Sequence, residues 1–168
     1  MSKHWTSAQV EAQLTRGVWF RSLQPELRGE LVRAGKVKHI PKSSVLVEPG
    51  KPVDLQVVLR GSVLCSPIFA SGAESIYHVD RPGFWFGMMP VLTGEPMDLT
   101  ITAYTDLVAM VISASDVIRI AAERPEHYAS FSSLPFSGLR RALEIVDHSG
   151  LRDPLARVAA QALPRAPD

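Results

Sequence analysis

Cysteine is almost absent from this chain, which has a single one, Cys65, among 168 residues. An intramolecular disulfide is therefore impossible, and a zinc or iron–sulfur site built from several thiolates of one chain is excluded. Long apolar runs are absent too, so the sequence predicts neither a signal peptide nor a membrane-spanning helix. We expect a soluble protein of the cytoplasm.

The chain also lacks an excess of charge of one sign, because 18 basic and 17 acidic residues leave a net charge of +1. This balance gives no basic surface of the kind that binds nucleic acid, so DNA binding cannot be argued from charge. Catalytic patterns are missing as well, since there is no G-x-S-x-G motif, no glycine-rich phosphate loop and no pair of histidines four residues apart. The sequence therefore predicts no enzyme. Its 46% of hydrophobic residues is enough to build a folded core.

The first two thirds of the chain divide into a helical and a strand-rich region. Residues 1–36 have apolar residues at helical spacing, with Ser7 as the expected N-cap of one helix and Pro25 opening another. Residues 37–112 are short apolar runs cut by turn residues, a pattern typical of a sandwich, barrel or roll. The runs predicted to be strands are Val45–Val47, Leu55–Leu59, Val63–Cys65, Ile76–Val79, Leu99–Tyr104 and Leu107–Ile112.

Residues 113–148 are predicted to be helical again, with Ser113 or Ser115 capping a first, short helix. In the longer helix that follows, apolar residues at positions i, i+4 and i+7 form one stripe. The stripe consists of Leu139, Leu143 and Val146. Beyond it, Asp153 and Pro154 are a typical N-cap and first residue of one more helix.

Several turns of the strand-rich region resemble those of the Crp/Fnr family of bacterial transcription regulators. The matching segments are Glu48–Asp54, Val58–Val63, Arg81–Gly87, Leu92–Pro96 with Ala103, and Asp153–Ala159. Their glycines suit tight turns because glycine tolerates positive φ and lets a second backbone approach closely. The resemblance covers about residues 18–163. It implies an α+β fold, a double-stranded β-helix (a jelly-roll-like β-roll) with flanking N-terminal helices and a long C-terminal dimerisation helix.

The resemblance also implies how the chain is divided. Residues 1–36 would pack on the roll, residues 37–112 would form it, and residues 113–148 would contain the dimerisation helix. Residues 149–168 would begin a truncated DNA-binding domain. A homodimer is expected through the stripe Leu139, Leu143 and Val146. DNA would be bound only through the missing C-terminal domain.

In nucleotide-binding members of the family, a glutamate after a Phe-Gly pair binds the ribose, and an arginine about ten residues later binds the cyclic phosphate. Met88 and Met97 stand at these positions, and Asp98 adds a negative charge beside them. Losing one charged contact costs on the order of 2–5 kcal/mol, so the resemblance implies a degenerate site that does not bind cAMP. The predicted pocket residues are Trp85, Phe86, Gly87, Met88, Met89, Pro96, Met97, Asp98 and Leu99.

Three interpretations of this pocket remain open. An apolar or neutral effector could contact a soft lining of methionine side chains with Trp85. The same side chains could instead fill a collapsed pocket that binds nothing. Haem is the third interpretation, because His78, Cys65, Met88 and Met89 are possible iron ligands by residue type. No other cofactor and no metal site is predicted.

Three functional classes follow from the sequence. The first is the effector-sensing and dimerisation part of a transcription regulator. The second is a free-standing ligand-binding or oligomerisation module that never contacts DNA. The third is a regulatory subunit that docks on an enzyme.

Overall fold

The computed structural model describes residues 4–67 and 78–149, without the side chains of Pro67, His78, Ser137 and residues 139–149. This part of the chain forms six helices and eight strands. The helices are α1 (Ser7–Leu14), α2 (Val18–Ser22), α3 (Pro25–Ala34), α4 (Met88–Thr93), α5 (Ala114–Glu123) and α6 (Pro125–Ser149). The strands are β1 (Lys36–Ile40), β2 (Val45–Val47), β3 (Leu55–Arg60), β4 (Val63–Pro67), β5 (His78–Asp80), β6 (Trp85–Phe86), β7 (Leu99–Ala103) and β8 (Leu107–Ile112).

The strands form two four-stranded antiparallel sheets. Sheet A has the order β1-β8-β3-β6, and sheet B has the order β2-β7-β4-β5. Sequence neighbours are therefore rarely sheet neighbours, and the chain passes repeatedly from one sheet to the other, as in a roll. The predicted β-roll with flanking helices is confirmed.

The central strands of sheet A, β8 and β3, are buried on both faces because sheet B covers one face and the helices cover the other. Along β8, Val108, Met110 and Ile112 face the helices, whereas Leu107 and Ala109 face sheet B. Alternation of side chains along a strand explains this division. It also explains why every residue of β8 is buried, and why its sequence is an unbroken apolar run rather than an alternating one.

The two faces of sheet A border two separate apolar cores. The helix-facing core joins sheet A to the helices through residues that include Val10, Leu14, Phe20, Leu27, Leu31, Leu55, Val57, Met110, Ile120 and Phe131. The inter-sheet core, enclosed by the roll, consists of Val47, Val53, Val58, Val63, Cys65, Phe86, Ile101, Ala103, Leu107 and Ala109. The helices are thus fixed to the outside of the roll by burial of apolar surface.

The N-cap of α1 is Thr6, so the prediction of Ser7 was wrong by one residue. The Thr6 hydroxyl accepts a hydrogen bond from the Gln9 backbone N–H (3.3 Å), and the Gln9 side chain accepts one from the Thr6 N–H (2.9 Å). This reciprocal capping box needs a glutamine or glutamate three residues after the cap, and Gln9 stands at that distance from Thr6.

Helix α5 begins after Ser113. Of the two serines predicted as possible caps, Ser113 is therefore the N-cap and Ser115 is not. The Ser113 hydroxyl accepts from the Asp116 N–H (3.1 Å) and donates to the Asp116 carboxylate (2.6 Å). The hydrogen bond from Ser113, with a smaller contribution from Arg119, lowers the pKa of Asp116. A second carboxylate reaches the same helix end, because Asp54 Oδ1 accepts from the Ala114 N–H (3.0 Å). Both carboxylates suit the positive end of a helix.

Helix α6 runs for 25 residues and continues through Pro135. It is joined to α5 by the buried His127, whose Nδ1 donates to the Ile120 carbonyl oxygen (2.9 Å). None of the described helices combines the length and apolar character needed to cross a membrane. The helix predicted to start at Asp153 and Pro154 lies outside the described residues.

Candidate ligand-binding site

The predicted pocket residues lie on one continuous segment, residues 84–99, which runs from β6 through α4 to β7. The segment turns sharply at Gly87, which has a φ of 91°. A Cβ atom at this position would lie 2.3 Å from the backbone carbonyl oxygen of Asp54. Only glycine fits such a close approach of two backbones, so Gly87 fixes the start of α4 against the residue that precedes β3.

Trp85 points out of the roll, toward the helices. Its ring lies edge-on to Trp19 at a centroid distance of 4.9 Å and stacks with Phe20 at 6.2 Å. The Trp19 indole N–H in turn donates to the Ser130 carbonyl oxygen (3.0 Å) and to the Ser133 hydroxyl (3.1 Å) on α6. The predicted pocket residue Trp85 therefore connects the segment to α6 instead of lining the inter-sheet space.

The two adjacent methionines of α4 have opposite environments. Met88 is 2% exposed and belongs to the helix-facing core, whereas Met89 is 55% exposed. Neither side chain is part of the inter-sheet core. The structure thus does not bring Met88, Met89, Met97 and Trp85 together as one lining.

A second group of residues does face the space between the sheets. Phe86 belongs to the inter-sheet core, and Phe84, Met97 and Leu99 are partly buried against it. The rings of Phe84 and Phe86 stack at a centroid distance of 5.6 Å. Pro96 and Asp98 are exposed beside this group. The part of the predicted pocket that can contact a ligand in the roll is therefore aromatic and apolar, with a carboxylate at its edge.

A buried carboxylate near this space was not predicted from the sequence. Asp80 is fully buried, and its Oδ2 lies 3.9 Å from the Sγ of Cys65, which is itself 3% exposed. The sequence feature that could have predicted this buried carboxylate is the alternation of side chains along β5, which turns Asp80 inward next to the exposed Val79. Of the haem candidates, Cys65 is buried in the inter-sheet core, and the side chain of His78 lies outside the described ones. The described residues include no group of three side chains suited to a metal ion.

Solved structures show the same fold at low sequence identity. Catabolite activator protein of Thermus thermophilus superimposes with a TM-score of 0.64 at 20% identity, over 77% of this chain and 63% of that one. The N-terminal domain of a transcriptional regulator from Streptomyces coelicolor A3(2) gives a TM-score of 0.61 at 24% identity, over 84% and 98% of the two chains. The predicted resemblance is confirmed at the level of the fold, which this chain shares with these two regulators.

Sequence comparison leads to the same family. A cyclic nucleotide-gated potassium channel of Mesorhizobium japonicum is 30% identical over 108 residues, which are 64% of this chain but only 28% of the channel. This chain therefore matches a minor part of that relative. The family model described as "cyclic nucleotide-binding domain" matches residues 37–124, from β1 to the end of α5. This family is a regulatory binding domain and not a known class of enzyme. The chain belongs to the cyclic nucleotide-binding domain family.

Proposed function

We propose that this chain is the effector-sensing and dimerisation part of a Crp/Fnr-type transcription regulator whose roll does not bind cAMP. One observation carries the proposal. At the two positions where the resemblance expects a glutamate and an arginine, Met88 is buried in the helix-facing core and Met97 packs against the inter-sheet core. Neither side chain can form the charged hydrogen bonds that a ribose hydroxyl and a cyclic phosphate require.

The charge around the segment also opposes an anionic ligand. Residues 84–99 contain no lysine or arginine, and their two charged side chains, Glu95 and Asp98, are both acidic and exposed. A phosphate bound beside them would be repelled rather than paired. The apolar surface of Phe84, Phe86 and Met97 instead suits a neutral or apolar effector.

A titration of the protein with cAMP, and separately with cGMP, is expected to release no heat in a calorimeter. The lost charged contacts account for this, since each is worth on the order of 2–5 kcal/mol. The variant Met97→Arg with Asp98→Ser returns a cation to the partly exposed edge of the site and removes the repelling charge. It is expected to bind cAMP at least about 30-fold more tightly than the parent chain. Micromolar binding by the unaltered protein would refute the proposal.

The proposed path by which effector binding in the roll affects α6 follows the aromatic contacts of Trp85. An effector that moves residues 84–99 would move Trp85, and with it Trp19, whose indole is hydrogen-bonded to Ser130 and Ser133 of α6. Coupling of this kind needs a contiguous set of packed groups between two sites. These contacts support a regulator in which ligand binding changes the position of the dimerisation helix.

Dimerisation is proposed to use one face of α6. The predicted stripe Leu139, Leu143 and Val146 is extended by Phe136, which precedes it at the spacing of a heptad repeat. The Phe136 side chain is 69% exposed in the single chain. A large aromatic group exposed in line with three apolar residues supports a partner helix on this face.

Replacing Leu143 with aspartate is therefore expected to convert a dimer into a monomer in sedimentation velocity. The substitution puts two like charges into the centre of the proposed interface, where neither has a partner. Arg141→Asp is the matched control, because position 141 lies on the opposite side of the helix and the variant should remain dimeric. An unchanged mass for Leu143→Asp would exclude this interface.

We propose the domain boundaries from the resemblance to the Crp/Fnr family. Residues 37–112 would be the sensing roll, residues 113–148 the helices that carry the signal, and residues 149–168 the start of a DNA-binding domain.

A second candidate function is a module that only oligomerises. It is favoured by the packing of Phe84, Met97 and Leu99 against the inter-sheet core, where the protein's own side chains partly bury them. Thermal-shift screening separates the two, because a bound effector raises the melting temperature and a scaffold has none to bind.

A further inference from the structure

A cleft of about 320 Å³ opens on the outside of the roll, between the N-terminal helices and the first strand of sheet A. Its apolar wall includes Val10 of α1, Val32 of α3 and the cross-strand neighbours Val37 and Met110. Met110 belongs to the helix-facing core, on the opposite face of β8 from Leu107. The cleft is therefore separated from the inter-sheet space by the thickness of sheet A.

The polar side chains that line the cleft, which are His4, Trp5, Ser7 and His39, can all donate hydrogen bonds. His39 lies two residues after Val37 and so shares its face of β1, and His4 lies at the start of the described chain; both are exposed. The indole of Trp5 is half-buried beside them. Among the described residues, no aspartate or glutamate lines the cleft. An acceptor group such as a carboxylate would find imidazole N–H donors here and no competing negative charge.

We propose that this cleft binds a small planar aromatic acid. The volume lies at the lower end of the range for small-molecule sites and admits a bicyclic ring, not a nucleotide. An aromatic ring would contact the half-buried Trp5 indole and the partly buried side chains of Val32 and Val37. The carboxylate would accept hydrogen bonds from His4 and His39 at the mouth. This site is independent of the proposed sensing function of the roll.

Indole-3-acetate is a suitable probe, with 3-methylindole as the neutral molecule of the same ring. Two-dimensional ¹H–¹⁵N NMR titrations should show indole-3-acetate shifting the Trp5 indole N–H and the amides of Val37 and His39. The expected dissociation constant is on the order of 1 mM, as suits a ligand of this size. Shifts confined to Phe86 and Leu99 would place the probe in the roll and overturn the proposal, as would no shift at all.

Two sets of variants test the assignment of the donors and of the wall. His4→Ala with His39→Ala alters only exposed side chains, removes both imidazole donors, and should weaken indole-3-acetate by about tenfold while leaving 3-methylindole unchanged. Val37→Phe should fill the cleft and abolish binding of both molecules. The matched control is Val45→Phe on β2, an exposed edge-strand valine of sheet B outside the cleft, which should bind as the parent does. Equal binding of the two probes by the parent protein, or loss of binding in Val45→Phe, would overturn the proposal.

Discussion

Replacing Gly87 with alanine is expected to lower the free energy of unfolding by roughly 2–5 kcal/mol. The φ of 91° is strained for any residue with a Cβ. The new Cβ would also lie 2.3 Å from the Asp54 carbonyl oxygen, a backbone atom that cannot rotate away as a side chain can. Urea denaturation of both proteins measures the difference.

Gly94→Ala separates the two causes. Gly94 ends α4 with a φ of 77°, but an added Cβ there would meet no atom within 4 Å. This control therefore carries only the backbone strain, and a loss of about 1–2 kcal/mol is expected. If Gly87→Ala were no more destabilising than Gly94→Ala, the claim that the close approach to Asp54 adds to the cost of a Cβ at position 87 would be refuted.

The same contact explains why this turn affects more than one element. Asp54 meets Gly87 through its carbonyl oxygen, and its carboxylate accepts from the Ala114 N–H at the start of α5. A displacement of Asp54 by an alanine at position 87 would disturb that helix end as well. The beginning of α4 and the beginning of α5 thus both depend on Asp54.

Most of the roll could be predicted because its strands end at turn residues that the sequence makes obvious. β3 and β4 are separated by Gly61, and β7 and β8 by the turn at Thr105 and Asp106, so their bounds were predicted to within two residues. The motif glycines were expected where a tight turn needs positive φ or a second backbone approaches closely, and Gly50, Gly61, Gly83 and Gly87 all have positive φ. Turn chemistry is local, and local chemistry is what a single sequence records best.

Elements that depend on distant partners were missed. β6 has only two residues and exists because Trp85 and Phe86 pair with Val57 and Gln56 of β3. α4 follows a glycine and contains Pro90, neither of which indicates a helix. No period can be detected in segments this short, and their conformation is set by tertiary contacts.

The candidate site was predictable in its composition but not in its orientation. Sequence alone identifies methionines where the family has charged residues. It does not tell that Trp85 and Phe86 face different cores, or that Met88 is turned away from the inter-sheet space. That direction is decided by the backbone at Gly87 and by which apolar partners lie within reach, including Phe131 on α6.

Met88→Glu is expected to destabilise the protein by about 3–5 kcal/mol at neutral pH, although it restores the residue that the family resemblance expects. Met88 is 2% exposed, so a carboxylate with its conformation would be buried in the helix-facing core without a partner. Met88→Leu keeps the apolar volume and should cost less than about 1.5 kcal/mol. Thermal and urea denaturation give both values.

The pH dependence of Met88→Glu identifies the cause of the loss. Burial raises the pKa of the introduced carboxyl above its unfolded value of about 4.3, so the folded state binds the proton more tightly than the unfolded state. The destabilisation should therefore be small below that pH and should grow as the pH rises through the folded pKa. Met88→Gln, which does not titrate, should show a constant difference from the parent. A Met88→Glu variant as stable as Met88→Leu at neutral pH would mean that position 88 can turn toward the roll, where a glutamate could again bind a ribose.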